Sequence, residues 1–504
     1  MFYILLTIGL LSYWLYWNLV TKRADYPPGP TPWPIIGNFG SLGGNIADWP
    51  AIIDAWGKKY GGMVTVWMPN PTVFVTDYKL QKEMFTGANS DVSAGRPQNF
   101  MMDYFAGGNY GLFLSEGHRW RQQRNFTMHV LRDFGFGRNL MEEKMRQDID
   151  RFFEHIEAMS TDGGKTIKVN IDKPLATCVA SIIANLVLGY RYEYDDEEFD
   201  KLFRLNRELF DLFTRPSLTM SIDYPWLRFV PLFGHFGYDD AGRLLKQFEE
   251  YFMRIIRAHK KEVLADIGAE PTDLVAAYIQ EMEKRKSKGQ DMDSFSEWQL
   301  YMSIFDLWSA GMETTTTTLR WALVFMSKHQ AVQDKVRAEL HDVIGNRDCT
   351  MADRTQLHYT MATLTETLRY MNNFPIGVQR RLLKDIDING QLLKQDTILT
   401  MQVYSVFCDP EIFPNPAQFN PDRFVNPDGT FNAKHADQVT VFGMGKRQCL
   451  GESMARMNLL LIFATLLQRY KFKIAPGEPD PEENPQYFFV KQPGNHDLIM
   501  EKVL

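Results

Sequence analysis

The run Phe442-Gly-Met-Gly445-Lys-Arg447-Gln-Cys449-Leu-Gly451 decides how this chain is interpreted. Its cysteine lies among glycines, which let backbone amides approach the sulfur, and an arginine precedes it by two positions. A long apolar segment from Met454 to Leu467 follows directly and predicts a helix. A thiolate at the N-terminus of a helix is stabilised by amide donors and by the helix dipole, so it is a good metal ligand. The alternative interpretation is a buried structural cysteine in a glycine-rich turn.

The composition excludes several classes of protein. The chain has 504 residues, 45% of them hydrophobic, and a net charge of −7, so nothing indicates nucleic acid as a general partner. Its four cysteines, Cys178, Cys349, Cys408 and Cys449, form no disulfide framework and show no zinc-ligand spacing. We therefore predict one chemically active cysteine, three apolar fillers and a reducing compartment for the folded part.

The N-terminal residues differ in kind from the rest. Met1 to Val20 contains no charged residue and carries six aromatic side chains, which suits a helix that spans a bilayer. Lys22 and Arg23 follow directly and favour a cytoplasmic position for the remainder. A cleaved signal peptide is the alternative, but it needs a charged start and a small-residue cleavage site. We predict a transmembrane signal anchor over residues 1–20 and a stiff proline-rich linker over residues 21–34.

Beyond the linker, the pattern predicts a single domain over residues 35–504 that is mainly α with a small β region. Short apolar stretches on either side of Pro69-Asn70-Pro71 predict a hairpin, and helical spacing dominates from about Lys79 to Leu340. The polar stretch from Glu281 to Ser296 is interpreted as a surface loop between helices. Strand character returns near residues 376–381, 386–388 and 397–403.

A second informative run is Ala310-Gly311-Met-Glu313-Thr314-Thr315, inside a segment from Trp298 to Met326 that predicts one central helix. Consecutive β-branched threonines and a glycine weaken a helix, so we predict that it opens locally and leaves room for a ligand and for water. The acid and alcohol at Glu313 and Thr314 are suited to relaying protons. A threonine-rich buried helix without a catalytic role is the alternative.

Thiolate ligation of haem iron favours cleavage of the O–O bond. The spacing Phe442-x-x-Gly445-x-Arg447-x-Cys449-x-Gly451 resembles the haem-ligand loop of the cytochrome P450 family, and the run from Ala310 to Thr315 resembles that family's oxygen-activation segment. The resemblance implies a fold in which haem lies between a long central helix and the cysteine loop.

The same resemblance implies roles for individual residues. Cys449 is expected to ligate the iron of haem b, and Glu313 and Thr314 are expected to act on bound O2 through proton transfer. The remaining positions expected to contact the cofactor in these two runs are Ala310, Phe442, Gly443 and Gly451.

A third motif, Glu366-Thr-Leu-Arg369, places a carboxylate and a guanidinium on one face of a helix. Taken alone it is an ordinary surface ion pair. In the family that the chain resembles, such a pair binds an arginine from a later loop, and Arg423 is the matching residue here. Because buried charges need partners, we predict a structural triad with no catalytic role.

A fourth motif contains Trp120 and Arg124, which lie four residues apart and so share one helix face. Two donors there suit an anionic haem propionate, whereas a solvated basic helix face is the alternative. The resemblance extends the propionate role to Arg96, Arg380 and Arg447.

The resemblance is to the animal microsomal enzymes that oxidise drugs, fatty acids and steroids. It implies a monooxygenase in the endoplasmic reticulum membrane, with its catalytic domain on the cytoplasmic face and electrons supplied by NADPH through a flavoprotein reductase. Cytochrome b5 is a further candidate partner. A basic patch that attracts the reductase is predicted from Arg119, Arg121, Arg132, Arg138 and Lys446.

Two other functions stay open at this point. One is a haem-thiolate isomerase or dehydratase acting on lipid peroxides, which the Glu313–Thr314 pair argues against. The other is a haem protein without catalytic activity. The candidate pocket segments are 100–110, 209–218, 304–310 and 376–378, although aromatic side chains at such spacings more often belong to an ordinary core.

Overall fold

The molecule is described by a computed structural model covering residues 2–16, 20–33, 36–68, 70–135, 139–160, 165–290, 292, 294–483, 485–487 and 490–503. Some of the predictions above concern residues outside these ranges. Met1 and residues 17–19 of the anchor, Pro34 of the linker, Pro69 of the hairpin turn and Arg138 of the basic patch lie outside the described residues.

The described residues form a mainly helical fold with a small β region, which confirms the predicted fold class. The helices are α1 Phe2–Tyr16, α2 Phe39–Leu42, α3 Trp49–Tyr60, α4 Tyr78–Phe85, α5 Asn89–Val92, α6 Phe100–Ala106, α7 Gly117–Asp133, α8 Asn139–Ala158, α9 Asp172–Leu188, α10 Glu197–Leu212, α11 Pro216–Asp223, α12 Phe233–Phe236, α13 Tyr238–Ala265, α14 Leu274–Ser287, α15 Glu297–Lys328, α16 Gln330–Ile344, α17 His358–Met371, α18 Val403–Phe407, α19 Ala433–Ala436 and α20 Glu452–Arg469. The strands are β1 Met63–Met68, β2 Asn70–Val75, β3 Thr166–Val169, β4 Arg380–Arg381, β5 Ile386–Ile388, β6 Gln391–Leu393, β7 Ile398–Met401, β8 Tyr470–Ile474, β9 Gln486–Tyr487, β10 Lys491–Gln492 and β11 Leu498–Lys502.

The predicted hairpin is confirmed, since β1 and β2 pair antiparallel with Met63 opposite Val75. They belong to a sheet of order β1-β2-β7-β4, in which β2 and β7 are parallel. A second sheet, β3-β11-β8, joins a short strand after α8 to two strands near the C-terminus. The sequence pattern did not predict this second sheet, because its strands have no more than five residues and β3 lies about three hundred positions before the other two.

The centre of the molecule is α15, which packs against α9, α13, α17 and α20. Its 32 residues extend for about 48 Å at the rise of an α-helix. The backbone is helical throughout, so the predicted local opening is wrong. The threonines fit the helix because Thr314 and Thr318 donate their hydroxyls to the carbonyls of Ala310 and Thr314, each at 2.8 Å.

The predicted loop between Glu281 and Ser296 is wrong for its first part, because α14 continues to Ser287. The polar residues there form a helix face stabilised by pairs such as Arg285 with Glu281, whose Nε and Oε1 atoms lie 2.7 Å apart. Only the residues after α14 connect to α15.

The N-terminal region has two describable parts. Helix α1 has fifteen residues, and within the described ranges none of the helices combines the length and apolarity that crossing a membrane requires. The proline-rich linker is fixed to the body, since Thr65 donates its hydroxyl to the Pro27 carbonyl at 2.7 Å. A Cβ on Gly29 would lie 2.0 Å from the Thr65 carbonyl oxygen, so this close approach requires glycine.

Candidate active site

The cysteine loop is a tight turn that ends at the start of α20. The Cys449 amide donates to the Phe442 carbonyl at 2.8 Å, which closes the loop on itself. Gly443 and Gly445 have positive φ angles of 74° and 67°. A Cβ on Gly445 would lie 1.9 Å from the Phe85 carbonyl oxygen, so the loop needs glycine there both for its backbone angle and for its packing.

The Cys449 thiol lies inside the body yet is reached by water. The residue is exposed, yet much of the thiol is surrounded by protein, and this burial raises its pKa. The Gly451 amide, Arg124 and Arg456 act in the opposite direction and lower the pKa by smaller amounts. This combination is typical of a thiol that lines an interior cavity. A bound metal cation would reverse the direction of the pKa shift, because it stabilises the thiolate directly.

Helix α15 presents an accessible face in its middle. Ala310 is exposed and the Thr314 hydroxyl is accessible, although Ser309 and Glu313 beside them are buried. On another side, a Cβ on Gly311 would lie 2.8 Å from Ile183 Cδ1 of α9. An accessible patch within a helix that is packed elsewhere marks an internal cavity along Ala310 and Thr314.

Two of the predicted propionate-binding arginines, Arg96 and Arg380, are buried with the Trp120 indole, and Arg447 beside them is half-buried. We call Arg96, Arg380, Arg447 and Trp120 the open cluster. The Arg447 guanidinium lies 3.8 Å above the Trp120 ring and donates to the carbonyls of Ala94 and Ser115 at 2.7 and 2.6 Å.

Three buried donors of the open cluster have no hydrogen-bond partner among the described residues. They are Nη1 of Arg380, Nη1 of Arg447 and Nε1 of Trp120. Buried donors are nearly always paired, so three orphans in one place indicate a missing acceptor. The fourth predicted residue, Arg124, is half-buried and donates Nη2 to the Gln448 carbonyl at 2.7 Å, directly before Cys449.

The electrostatics of the open cluster lead to the same conclusion. Burial lowers the pKa of all three guanidinium groups, and repulsion from neighbouring arginines lowers it further. The nearest carboxylates are engaged elsewhere: Glu116 pairs with Arg381, and Asp306 accepts the amides of Leu112 and Phe113 at 2.7 and 2.9 Å. A dianionic ligand such as the two propionates of haem fits both the spare donors and the excess positive charge.

Asp306 is a residue of this site that the sequence reasoning missed. It lies on α15, one turn before Ala310, and fixes the loop at Leu112 and Phe113 through the two amide bonds given above. Burial raises its pKa to about 6, against the opposing effects of those amides and of Arg96. The available signal was a lone carboxylate within the apolar run from Ile304 to Trp308.

Glu313 and Thr314 point to different sides of α15. The Glu313 carboxylate is buried and accepts Nε2 of Gln492 and Nδ2 of Asn206, and Arg207 Nη2 lies 3.8 Å away. Arg207 in turn donates to both carboxylate oxygens of Asp172 at 2.5 and 2.7 Å. Burial is the largest cause of the raised pKa of Glu313, and Arg207 opposes it. The structure therefore does not bring the carboxyl of Glu313 to the accessible face.

The three residues of the predicted triad meet in the interior. Arg369 donates Nε and Nη2 to the two oxygens of Glu366 at 2.6 and 2.7 Å, and Arg423 Nε donates to the same carboxylate at 3.1 Å. Remaining Arg369 donors reach the carbonyls of Phe407 and Pro416. We call Glu366, Arg369 and Arg423 the closed triad.

Comparison with known proteins decides the family. A family model described as Cytochrome P450 matches residues 27–500. The chain belongs to the cytochrome P450 family. It is 33% identical to Probable cytochrome P450 CYP36A1 of Caenorhabditis elegans over 457 residues, which cover 90% of each chain. It is 32% identical to Cytochrome P450 2K6 of Danio rerio over 448 residues (88% of this chain, 86% of the other), and 30% identical to Cytochrome P450 2D3 of Rattus norvegicus over 482 residues (95% and 93%).

Membership confirms the resemblance stated from the motifs. This P450 is an oxidoreductase of the monooxygenase class, and the family implies haem iron with a thiolate ligand and O2 as a reactant. The isomerase or dehydratase alternative is not favoured.

Proposed function

We propose that this P450 is a membrane-bound monooxygenase that inserts one atom of O2 into an apolar organic substrate, namely a fatty acid, a steroid or a xenobiotic. The observation that carries the proposal is an accessible Cys449 thiol inside the body, close to buried arginines that have no matching carboxylate. When bound, haem supplies the oxidative chemistry, and the protein supplies orientation and electrostatics.

The residues fit haem b in the following way. Cys449 is suited to the iron, and the spare donors of Arg380, Arg447 and Trp120 are suited to the propionates. The full proposed set is Cys449 for the metal, Arg96, Trp120, Arg124, Arg380 and Arg447 for the propionates, and Ala310, Phe442, Gly443 and Gly451 for the faces of the macrocycle. The closed triad is proposed to support the loop on the thiolate side without a catalytic role.

We propose that Thr314 and Glu313 supply protons from opposite sides of α15. The Thr314 hydroxyl is accessible and donates to the Ala310 carbonyl, so its lone pairs can accept from water in the cavity. Glu313 has a raised pKa, which favours its protonated form. A proton from Glu313 reaches the cavity only if its side chain turns around the helix or if water connects the two sides.

The cellular setting is part of the same proposal. Residues 1–20 anchor the chain in the endoplasmic reticulum membrane, residues 21–34 form the linker, and residues 35–504 form the catalytic domain on the cytoplasmic face. Electrons come from NADPH through the flavoprotein reductase, with cytochrome b5 as a further partner. Arg121 and Lys446 are both exposed and both approach Asp91, at 3.5 and 3.8 Å, so two cations share one carboxylate and leave a net positive charge in the proposed docking patch.

The haem-thiolate assignment is tested by Cys449→Ser. Reduced wild-type protein treated with carbon monoxide should show the red-shifted Soret band of thiolate-ligated haem, and the variant should lose both that band and turnover. Cys408→Ser is the matched control, because Cys408 is half-buried and outside the loop. Retention of band and turnover in the Cys449 variant would remove the basis of the proposed function.

The docking patch has a separate test. Lys446→Glu should slow turnover driven by the reductase while leaving turnover driven by peroxide unchanged, because peroxide needs no electron donor. Equal slowing of both reactions excludes a docking role for Lys446.

A further inference from the structure

The segment between α10 and α13 exposes apolar side chains around one arginine. Trp226, Phe229 and Leu232 are 60%, 71% and 55% exposed. Arg228 lies in the same short 3₁₀ helix, Pro225–Phe229, and is half-buried. The proposed pocket segment 209–218 directly precedes this region, so its environment bears on which substrates enter.

The Arg228 guanidinium lies between two aromatic rings. Its central carbon is 3.8 Å from the ring centroid of Phe100, in α6, and 4.6 Å from that of Phe229. Cation–π contact accounts for its position. These contacts leave the N–H donors at the edge of the group open, and among the described residues no hydrogen bond or ion pair engages them.

Neighbouring arginines are neutralised, which makes Arg228 different. Arg215 donates to Asp211 and to Asp240, each at 2.9 Å, and Arg243 donates to Glu208 at 3.0 Å. Asp211, Asp240 and Glu208 are therefore already engaged with other guanidinium groups. Arg228 keeps its positive charge unmatched among the described residues in a protein whose net charge is −7.

Aromatic side chains continue from Arg228 into the molecule. The Phe100 ring contacts Tyr104 and Tyr238 at centroid distances of 5.9 and 5.7 Å, and the Tyr104 hydroxyl donates to the Tyr238 carbonyl at 2.9 Å. Further along α6, Phe105 lies 5.1 Å from Phe213 at the end of α10. These rings connect α6 with the end of α10 and the start of α13. Arg228 therefore lies at one end of a row of aromatic side chains.

We propose that Arg228 binds the carboxylate of an amphipathic substrate, so that long-chain carboxylic acids are the preferred substrate class of this enzyme. The planar guanidinium edge matches a carboxylate in two parallel hydrogen bonds, and the aromatic lining accommodates the apolar chain. The Phe100 and Phe229 rings contact the guanidinium and leave its edge open to an anion. This inference rests on the proposed monooxygenase function.

The test compares a fatty acid with its uncharged ester. Binding of dodecanoic acid and of methyl dodecanoate to the haem-loaded protein is measured by calorimetry, which reports affinity whether or not the compound is oxidised. The wild type should prefer the acid. Arg228→Gln should weaken acid binding about ten- to a hundredfold, as expected for the loss of a charge-assisted pair, and leave ester binding unchanged. Arg228→Lys should retain part of the preference.

The control is Arg215→Gln, which alters a neighbouring arginine whose charge is already matched and should leave the acid-to-ester ratio at its wild-type value. An unchanged ratio in Arg228→Gln overturns the proposal. The proposal is also overturned if Arg228→Gln keeps the preference for the acid but no longer binds vesicles of anionic phospholipid. In that case Arg228 binds a lipid headgroup. Failure of the monooxygenase function would appear separately, as acid that binds in the wild type and is never oxidised.

Discussion

Two groups of buried arginines in this P450 have opposite electrostatic states. In the closed triad, Glu366 accepts hydrogen bonds from both Arg369 and Arg423, and carbonyl oxygens take further donors. In the open cluster, Arg380 is buried and Arg447 is half-buried, and each keeps one buried Nη1 without a partner among the residues that the structure describes. Under the proposed function, the first group stabilises the folded chain and the second is completed by a ligand.

The physical reason lies in the cost of burying charge. A buried guanidinium needs a carboxylate and good hydrogen bonds to offset its desolvation. The closed triad contains its own carboxylate, so its contribution belongs to folding. The open cluster contains no carboxylate of its own, because Glu116 pairs with Arg381 and Asp306 accepts backbone amides. Its negative counter-charge would come from a bound ligand. The same substitution should therefore have different consequences in the two groups.

The largest effect is expected for Arg369→Gln. It leaves a buried Glu366 with one of its two cations, and breaking a buried pair costs about 3–5 kcal/mol of unfolding free energy. Urea unfolding of the haem-loaded protein measures this loss, and the yield of soluble protein reports it if the variant does not fold.

An exposed pair provides the control for that variant. Lys58→Gln removes a contact of 2.7 Å with Asp54, but the Lys58 side chain is 65% exposed, so the cost should be less than about 1 kcal/mol. Equal losses for the two variants would contradict the structural role of the closed triad.

The next effect is expected for Arg380→Gln, the same change made in the open cluster. It removes a donor for the haem, so haem should dissociate about ten- to a hundredfold faster, as for the loss of a charged hydrogen bond. The stability of the haem-free protein should change by about 1 kcal/mol or less, since relief of repulsion from Arg96 offsets the loss of the Arg380 Nη2 bond to the Met444 carbonyl at 2.8 Å. Transfer of haem to apomyoglobin and urea unfolding of the haem-free protein measure the two quantities. A clear loss of haem-free stability would place Arg380 with the closed triad.

The sequence predicted the parts of the molecule that are local. The turn residues at Pro69-Asn70-Pro71 predicted the hairpin, and the cysteine loop and the central helix were found from contiguous runs. The residues of the closed triad were also named, although that step depended on the family resemblance, because Arg423 is far from Glu366 in the chain.

What the sequence did not predict depends on contacts between distant segments. Gln492, Asn206 and Arg207 surround Glu313 from two separate parts of the chain, and no spacing along the sequence indicates that they meet. Local opening of α15 was predicted from threonine propensity, but hydroxyl-to-carbonyl bonds within the helix remove that tendency. Tertiary packing decides both cases.

Asp306 gives a pH-dependent test, because burial raises the pKa of its carboxyl although Leu112 and Phe113 donate their amides to it. Its pKa rises on folding to about 6, so the folded state binds its proton more tightly than the unfolded state does. This contribution to stability is complete below the unfolded pKa, near 4, and is lost as the pH rises through about 6. Relative to Asp306→Asn, the wild type should lose about 2 kcal/mol between pH 4 and 6, measured by urea unfolding. Parallel pH profiles for the two proteins would contradict the raised pKa.

The smallest effect is expected for Trp120→Phe, which keeps an aromatic ring beneath Arg447 and removes only the indole N–H. That N–H has no acceptor among the described residues, so haem-free stability should change little, whereas haem should dissociate about fivefold faster through the loss of one hydrogen bond. Trp321→Phe is the matched control, because its indole already donates to the Lys491 carbonyl at 2.9 Å. This control should lose stability without haem and leave haem dissociation unchanged. If Trp120→Phe also lost haem-free stability and left haem dissociation unchanged, the Trp120 N–H would contribute to folding. The open cluster would then have two unpaired donors that indicate a ligand instead of three.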